Sequence, residues 1–451
     1  MPYIEIMTCQ VASFRSNVTF DPLTSDAYMG NTVDIRGIFY LRKPVSFTNC
    51  TRFVIDGGNL TWDGTQSVVI DCTNVTVNGI MQPSGDVVFG NNVRDTLVGP
   101  LGQFSLTAGG PILTHTLSVF GVMEVRNKAS LQSPVQDDKK IATLVVHGPK
   151  GKLMLDTHNL PMVNNGSDVP DADFSELFAE EITVNGLFDA GRLSFAEPVT
   201  RLTVGNGGNF TFDPVSELRV DYLTCHGVMT SLTPLSVTGN SVIRTRTLLV
   251  GENGTVTLDS RAQRNGGYLG VSYLVVETMT VNGVMNAGRL VNYMPPLEHG
   301  WNHLAVGPKG KLTFHPNDTF YLGYIEVAGV MESLIPITIL PPPSFEINSN
   351  HFVVDTGGHV KLGIQEATDL ANDIRCGRLE VRPGGTIDAG YQKPTPGSQT
   401  VSPLSVFTVT TVVVDGTVKG DSLKVVASDV SVGGSVTAAG GGFLSNEGPG
   451  E

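Results

Sequence analysis

Apolar and polar residues alternate along much of this chain, in short runs that glycines interrupt. In the stretch "KLTF", residues 311–314, Leu312 and Phe314 alternate with Lys311 and Thr313. A period of two residues is typical of a β-strand with one buried face, because successive side chains point to opposite faces. Val and Thr, which favour strands, recur throughout, and amphipathic helical runs are scarce. The pattern therefore predicts an all-β fold.

Two kinds of glycine-containing line alternate along the chain. In the first, as in "TVNGVM", a strand is followed by a glycine and two bulky residues; its turn glycines are Gly79, Gly121, Gly186, Gly227, Gly283 and Gly329. In the second, as in "LTVGNGGNFTF" around Gly208, a glycine-rich turn joins two strands. The lines follow at steps of about 19 to 35 residues, the length of one turn, or coil, of a β-solenoid. The glycines are expected at sharp bends with a positive φ.

A longer period is superimposed on the coils. The stretch "TVNGLFDAGRL" at 183–193 returns as "TVNGVMNAGRL" at 280–290, and other glycine lines return at a similar spacing, so four coils form a super-repeat of about 100 residues. The sequence predicts a single elongated parallel β-solenoid (β-helix) of about 18 coils, on the order of 85 Å long at about 4.8 Å per coil. The predicted boundaries are a solenoid over 1–438, with super-repeats at about 1–101, 102–207, 208–309 and 310–410 and then short coils, and a Gly-rich tail at 439–451.

Other β architectures fit less well. A propeller needs about four strands per blade with short hairpin loops. Tandem immunoglobulin-like domains would match the long period but need a core Trp in each, and the chain has only Trp62 and Trp301. Two segments that carry helix formers, starting at Asp173 and at Ile364, are expected to form short helical excursions.

The cysteines give an independent test of the coil length. The stretches "CTRFVI" from Cys50 and "CTNVTV" from Cys72 align residue for residue, one coil apart. Neighbouring coils lie about 5 Å apart, within reach of a disulfide, so a Cys50–Cys72 bridge is predicted, with two buried thiols as the alternative. Cys9, Cys225 and Cys376 have no partner one coil away and are left without a predicted bridge.

Charge and composition exclude several kinds of partner. The formal net charge is −14 and no stretch is rich in Lys and Arg, so nucleic-acid binding is not expected. No apolar run approaches the roughly 20 residues that span a bilayer, so no membrane insertion is expected. The sequence contains no phosphate-binding motif or paired cysteine motif, and no cofactor or metal is predicted.

Sequons for N-glycosylation are numerous. The motif N-x-S/T occurs at Asn17, Asn49, Asn59, Asn74, Asn165, Asn209, Asn253 and Asn317. Together they favour an extracellular glycoprotein, secreted or at the cell surface, that carries N-linked glycans. The first residues do not resemble a signal peptide, so the chain is expected to be a mature piece of a longer precursor.

Four groups of polar residues could carry chemistry, and each has a simpler structural interpretation. Asp56 and Asp71 lie about one coil apart but lack a His or Arg at a matching offset, and Asp56 precedes a glycine pair, as turn aspartates do. His226 takes the place of Asn78, Asn185 and Asn282 before a turn glycine. The spacing of Glu298, His299 and His303 suits a metal only on a helix, and the segment resembles a loop. The run from Asp137 to Lys140 is expected to be a solvated loop tip.

The stretch "VIDGGN" around Asp56 resembles a line common in right-handed parallel β-helices of the pectin lyase-like family, and the coil pattern is also similar to adhesin-like β-helices. The resemblance implies paired aspartates for a hydrolase, or Ca²⁺-binding aspartates and a basic residue for a lyase. Because the chain lacks the accompanying residues, it is not expected to be an enzyme. The expected function is structural: head-to-tail assembly into a fibre, or a segment of a larger extracellular rod. The alternatives are an adhesin that binds glycans or proteins, and a polysaccharide lyase or hydrolase.

Overall fold

The computed structural model describes most of the chain. The described residues are 11–15, 18–20, 27–29, 31–41, 45–62, 67–83, 85, 87–106, 110–126, 129–134, 139–155, 174–214, 218–232, 241–259, 272–291, 301–316, 319–341, 350–363, 371–389, 405–420 and 422–438. Within these ranges every regular element is a β-strand and no helix is present. The all-β prediction is confirmed.

The chain divides into two units, one of residues 1–222 and 226–236, the other of residues 223–225 and 237–451. The strands up to the division are β1 Val11–Phe14, β2 Val18–Phe20, β3 Ala27–Met29, β4 Thr32–Ile35, β5 Ile38–Leu41, β6 Ser46–Trp62, β7 Val68–Met81, β8 Val87–Phe89, β9 Asp95–Val98, β10 Gln103–Leu106, β11 Gly110–Leu113, β12 Thr116–Val119, β13 Val122–Val125, β14 Ala129–Gln132, β15 Ile141–Val146, β16 Lys152–Leu155, β17 Ser175–Leu177, β18 Ala179–Val184, β19 Leu187–Phe195, β20 Val199–Val204, β21 Asn209–Pro214, β22 Leu218–Cys225 and β23 Val228–Leu232.

The second unit contains the remaining strands. They are β24 Ser241–Val250, β25 Thr255–Asp259, β26 Ser272–Val281, β27 Val284–Val291, β28 Trp301–Val306, β29 Lys311–Pro316, β30 Phe320–Val327, β31 Val330–Ser333, β32 Thr338–Leu340, β33 His351–Val354, β34 His359–Leu362, β35 Asp373–Val381, β36 Thr386–Asp388, β37 Ser405–Val414, β38 Thr417–Gly420, β39 Leu423–Val432 and β40 Ser435–Ala438.

Each unit is a stack of three-sided coils. In the first unit, β9 pairs with β12, β12 with β15 and β15 with β18 on one side, while β10, β13, β16 and β19 follow one another on the next side. In the second unit, β33, β35, β37 and β39 follow one another in the same way. Every strand pairing with an assigned register is parallel, and the partners come from successive coils. The prediction of a parallel β-solenoid is confirmed.

The core is built from columns of identical inward positions. In the first unit one column consists of valines in register on successive coils, namely Val77, Val98, Val119, Val146, Val184 and Val204. In the second unit the corresponding column, here called the valine column, is Val250, Val281, Val306, Val327, Val354, Val381, Val414 and Val432. Because parallel coils stack in register, each inward side chain is covered by the same position of the next coil.

The six turn glycines occupy buried corners between two sides of a coil, but not for the predicted reason. None of the six has a positive φ; that conformation occurs at Gly57, Gly191, Gly207, Gly357, Gly363 and Gly384 instead. At Gly283, a Cβ would collide with the carbonyl oxygens of Gly251 and Gly254, on the preceding coil. The expectation of a positive φ was therefore wrong. Glycine is required at these corners because the backbones of adjacent coils approach too closely for a side chain.

The predicted helix from Asp173 was also wrong. Residues 175–177 and 179–184 form β17 and β18, and Leu177, Ala179 and Ile182 are buried. Pairing of β17 with β14 and β19 satisfies the backbone of this segment on both sides, and this outweighs its helix propensity. Most of the segment from Ile364 lies outside the described residues.

Candidate functional site

The last described coil of the second unit, residues 422–438, differs from all coils before it and is here called the end coil. Its strands are β39, which pairs with β37, and the short β40, which pairs with β38. No later strand is described. The opposite edges of β39 and β40 therefore carry backbone N–H and C=O groups with no described strand beside them. Such an edge is a template on which a further strand can pair.

The inward face of the end coil is apolar and open. The residues that continue the core columns are Val425, Val430, Val432 and Val436, and they are respectively 39%, 60%, 50% and 43% exposed. Their register partners one coil earlier are Phe407, Val412, Val414 and Val418, all of which are buried. A cross-section of the hydrophobic core therefore reaches the surface at this end.

The predicted disulfide is confirmed. Cys50 and Cys72 are register partners on adjacent coils, 4.5 Å apart between their Cα atoms, and they are bonded. Cys225 and Cys376 are buried thiols that take part in no disulfide, and burial raises the pKa of the Cys376 thiol to about 12. A thiol with so high a pKa is held in its unreactive protonated form. Cys9 lies outside the described residues.

The asparagines of the described sequons differ in their exposure to solvent. Asn209 and Asn253 are exposed, and Asn253 lies in the turn between β24 and β25. Asn59 and Asn74 are half-buried, and the Asn74 amide donates a hydrogen bond of 3.3 Å to the carbonyl oxygen of Thr51. Asn49 belongs to β6, and Asn17, Asn165 and Asn317 lie outside the described residues. Glycosylation stays a prediction, for which Asn209 and Asn253 are the most accessible described acceptors.

The structure does not bring Asp56 and Asp71 together. The register partner of Asp56 is Asn78, whose amide donates to Asp56 at 3.2 Å, whereas Asp71 pairs with Thr48. The two carboxylates therefore belong to different positions along the coil, which corrects the inference that they are neighbours on successive coils. Asp56 accepts a hydrogen bond from Asn78, and Asp71 accepts hydrogen bonds from Asn92.

The other chemical candidates are scattered. His226 lies at a corner before Gly227, as expected of a turn residue. Its backbone N–H donates a hydrogen bond to the carbonyl oxygen of Val204. His303 lies on β28, while Glu298, His299, Asp137 and Asp138 lie outside the described residues. Lys139 and Lys140 precede β15. Within the described ranges, no group of three or more His, Cys, Asp or Glu side chains could hold a metal ion.

Two outward columns were missed in the sequence. His303, Tyr324 and His351 are register partners, with ring centroids 5.1 Å and 6.0 Å apart. On another side, the Glu332 carboxylate bridges the ammonium groups of Lys311 and Lys361, each at 2.9 Å. Burial raises the pKa of Glu332, but the hydrogen bonds and charges of the two lysines outweigh it and leave this pKa below its ordinary value. The residues of each column are a coil apart in sequence, so only the correct register reveals them.

No protein-family model matches the chain, and neither a curated protein nor a solved structure matches it. The fold and the candidate sites therefore stand on the geometry alone. Among the described residues, no helix is long and apolar enough to cross a membrane.

Proposed function

We propose that this protein is a structural β-solenoid of the extracellular space that assembles head to tail into a fibre. The observation that carries the proposal is the open core at the end coil, where Val425, Val430, Val432 and Val436 are exposed. Burying each of these half-exposed valines would contribute on the order of 1 kcal/mol. A further coil in register would bury all four at once.

The backbone supports the same geometry. The first described coil consists of β1, β2 and β3, and the end coil consists of β39 and β40. No described strand precedes β1, so each end of the described coils has a strand edge without a described partner. Addition of the first coil of one copy to the end coil of another would satisfy both edges by parallel pairing. Because the two surfaces differ, the contact is heterologous and propagates as a filament.

The extracellular setting rests on different features. Eight sequons and a disulfide between adjacent coils are typical of proteins that pass through an oxidising compartment. Glycans at exposed sites such as Asn209 and Asn253 would hydrate the sides of the solenoid and leave the ends as the favoured contact. The coil length and the glycine lines also resemble those of pectin lyase-like and adhesin-like β-helices.

The end coil offers a matched pair of variants that tests the proposal. Val425 points into the core and Val426 points outward, because their register partners are the buried Phe407 and the half-buried Thr408. Val425→Asp should abolish filaments, whereas Val426→Asp adds the same charge to the same strand and should leave them intact. Sedimentation across a range of protein concentrations and negative-stain electron microscopy would measure assembly.

A wild-type protein that stays monomeric at every concentration would refute head-to-tail assembly. Filaments that survive Val425→Asp but not Val426→Asp would place the contact on the side of the solenoid. Circular dichroism of both variants should match the wild type, since each valine is already exposed.

A further inference from the structure

A cavity of about 540 Å³ opens on one corner of the first unit. Its volume is in the range of sites that hold a small molecule. Its lining includes hydroxyl, amide, guanidinium and imidazole side chains, and Cys50 and Pro134 complete it. The cavity is here called the Arg94 cleft, and its polar lining residues are Thr51, Thr73, Asn91, Asn92, Arg94 and His115. The cleft does not involve the end coil, so a ligand bound there would be independent of the proposed assembly.

One wall of the cleft is a column on successive coils. The backbone N–H of Arg94 donates to the carbonyl of Thr73 at 2.9 Å, and that of His115 donates to the carbonyl of Arg94 at 2.8 Å. Thr73 lies within β7, just before the part that pairs with β9, and Arg94 and His115 immediately precede β9 and β12. The solenoid ladder therefore fixes the spacing of a hydroxyl, a guanidinium and an imidazole along one line.

Another part of the lining is a turn that Asp71 holds in place. The backbone N–H and the side-chain amide of Asn92 each donate to a different Asp71 carboxylate oxygen, both at 2.8 Å. A Cβ at Gly90 would collide with the Asp71 side chain, so only glycine permits this packing. The turn of Asn91 and Asn92 is therefore organised before any ligand arrives.

The guanidinium group of Arg94 has no carboxylate partner in the part of the chain that the structure describes. The carboxylate of Asp71 is engaged by Asn92, and that of Asp95 accepts from the Thr116 hydroxyl at 2.6 Å. No carboxylate among the described residues forms an ion pair with Arg94 or His115, and both side chains are exposed. Other arginines of this acidic chain have carboxylate partners, for instance Arg36 with Asp34 and Arg126 with Glu124.

We propose that the Arg94 cleft binds a sugar that carries a sulfate or phosphate ester. An arginine guanidinium binds such an oxyanion through two parallel hydrogen bonds, and His115 lies on the next coil beside it. The cleft is much larger than an oxyanion, and the rest of its lining consists mainly of hydroxyls and amides. These groups both donate and accept hydrogen bonds, which is what the hydroxyls of a sugar ring require.

Titration calorimetry on the whole protein tests the proposal with four probes: glucose 6-sulfate, glucose 6-phosphate, glucose and sodium sulfate. We expect one or both esters to bind at least about tenfold more tightly than glucose, since a charge-assisted bidentate contact is about twice as strong as a neutral one. The preferred ester should also bind more tightly than free sulfate. The tighter of the two esters identifies the oxyanion that the cleft prefers.

Two arginine variants separate a specific site from general charge. Arg94→Gln should weaken binding of the preferred ester about tenfold, because it removes the fork of donors. Arg126→Gln, an exposed arginine outside the cleft lining, should leave binding unchanged. Both variants should have the same melting temperature as the wild type, because neither arginine side chain is buried.

Equal binding of glucose and its esters, or no binding of either ester, would overturn the proposal. Equal loss of affinity in both arginine variants would also overturn it, because it would show attraction to charge without a site. If free sulfate bound as tightly as the esters, the cleft would bind the oxyanion without recognising the sugar, which would also overturn the proposal.

Discussion

Val414 and Val432 are the same residue at the same place on neighbouring coils, but their surroundings differ. Both belong to the valine column, and they are direct register partners. Val414 is 1% exposed and Val432 is 50% exposed. The local sequence and strand geometry are alike, so the difference comes from the coil that covers Val414. In a solenoid, burial is supplied by the next coil, and a coil without a neighbour keeps an exposed core.

The largest expected effect comes from placing a charge at these two positions. Val414→Asp buries a carboxylate without a partner and should destabilise the second unit by about 3–5 kcal/mol. Val432→Asp should cost less than about 1 kcal/mol, because that side chain remains hydrated. Chemical denaturation, with hydrogen exchange over residues 405–420, would measure both. Equal losses would mean that Val432 is covered in solution.

Much of the fold could be predicted from the sequence, because the repeat is a direct consequence of coil stacking. The Cys50–Cys72 bridge followed from two aligned stretches, and the coil length from the glycine lines. The reason for the glycines could not be predicted. A close approach between backbones and a positive φ both select glycine, and only coordinates distinguish the collision at Gly283 from the open turn at Gly357, where φ is +78°.

The candidate sites were less predictable than the fold. Val432 is exposed on a strand that has no described partner on its outer edge, and the residue itself has the sequence pattern of a core valine. The Arg94 cleft combines residues one coil apart with the turn at Asn92, and variable coil lengths hide that register. The alignment of the stretches that begin at Cys50 and Cys72 could have been extended by one coil. It would then have placed Arg94 at the position next to Thr73 on the following coil, which is the sequence signal for this cleft.

The second effect concerns the two coils that a disulfide joins in addition to their stacking. The Cys50–Cys72 disulfide closes a loop with a sequence separation of 22 residues within the first unit. Replacing both cysteines by serine should lower the free energy of unfolding by about 3 kcal/mol, mainly by enlarging the unfolded ensemble. Thermal melting of the double variant, with reduced wild type as the control, would measure it. A melting temperature equal to that of oxidised wild type would show that stacking alone fixes these coils.

The third effect compares an interior corner with the corner of the end coil. A Cβ at Gly283 would meet the carbonyls of Gly251 and Gly254, and a Cβ at Gly434 would meet the carbonyl of Gly416. Gly283→Ala should cost about 1–3 kcal/mol, since covered coils cannot separate without losing packing on both sides. Gly434→Ala displaces only the end coil and should cost less while disturbing assembly. If Gly434→Ala proves the more destabilising in the unassembled protein, the end coil is covered.

The smallest expected effect tests whether outward columns add to the cohesion of covered coils. Glu332 joins Lys311 on β29 to Lys361 on β34, so one carboxylate ties three successive coils together. Its pKa is lower in the folded protein than its ordinary value of 4.5, because the lysine contacts outweigh the effect of burial. A group with a depressed folded pKa contributes stability above its unfolded pKa, and this contribution is lost as the pH falls through the folded value.

Glu332→Gln should therefore be less stable than the wild type by about 0.5–1 kcal/mol at neutral pH, a modest figure because both lysine side chains are nearly half exposed. The difference between the two proteins should stay constant down to about pH 4.5 and shrink below it, since protonation removes the same charge in the wild type. Denaturation at a series of pH values measures that difference directly. Glu380, whose pKa is also depressed by Arg382 and Arg378, is present in both proteins, so its titration cancels. A difference in stability that persists undiminished at low pH would show that Glu332 acts through its packing. The covered coils would then differ from the end coil in their apolar stacking alone.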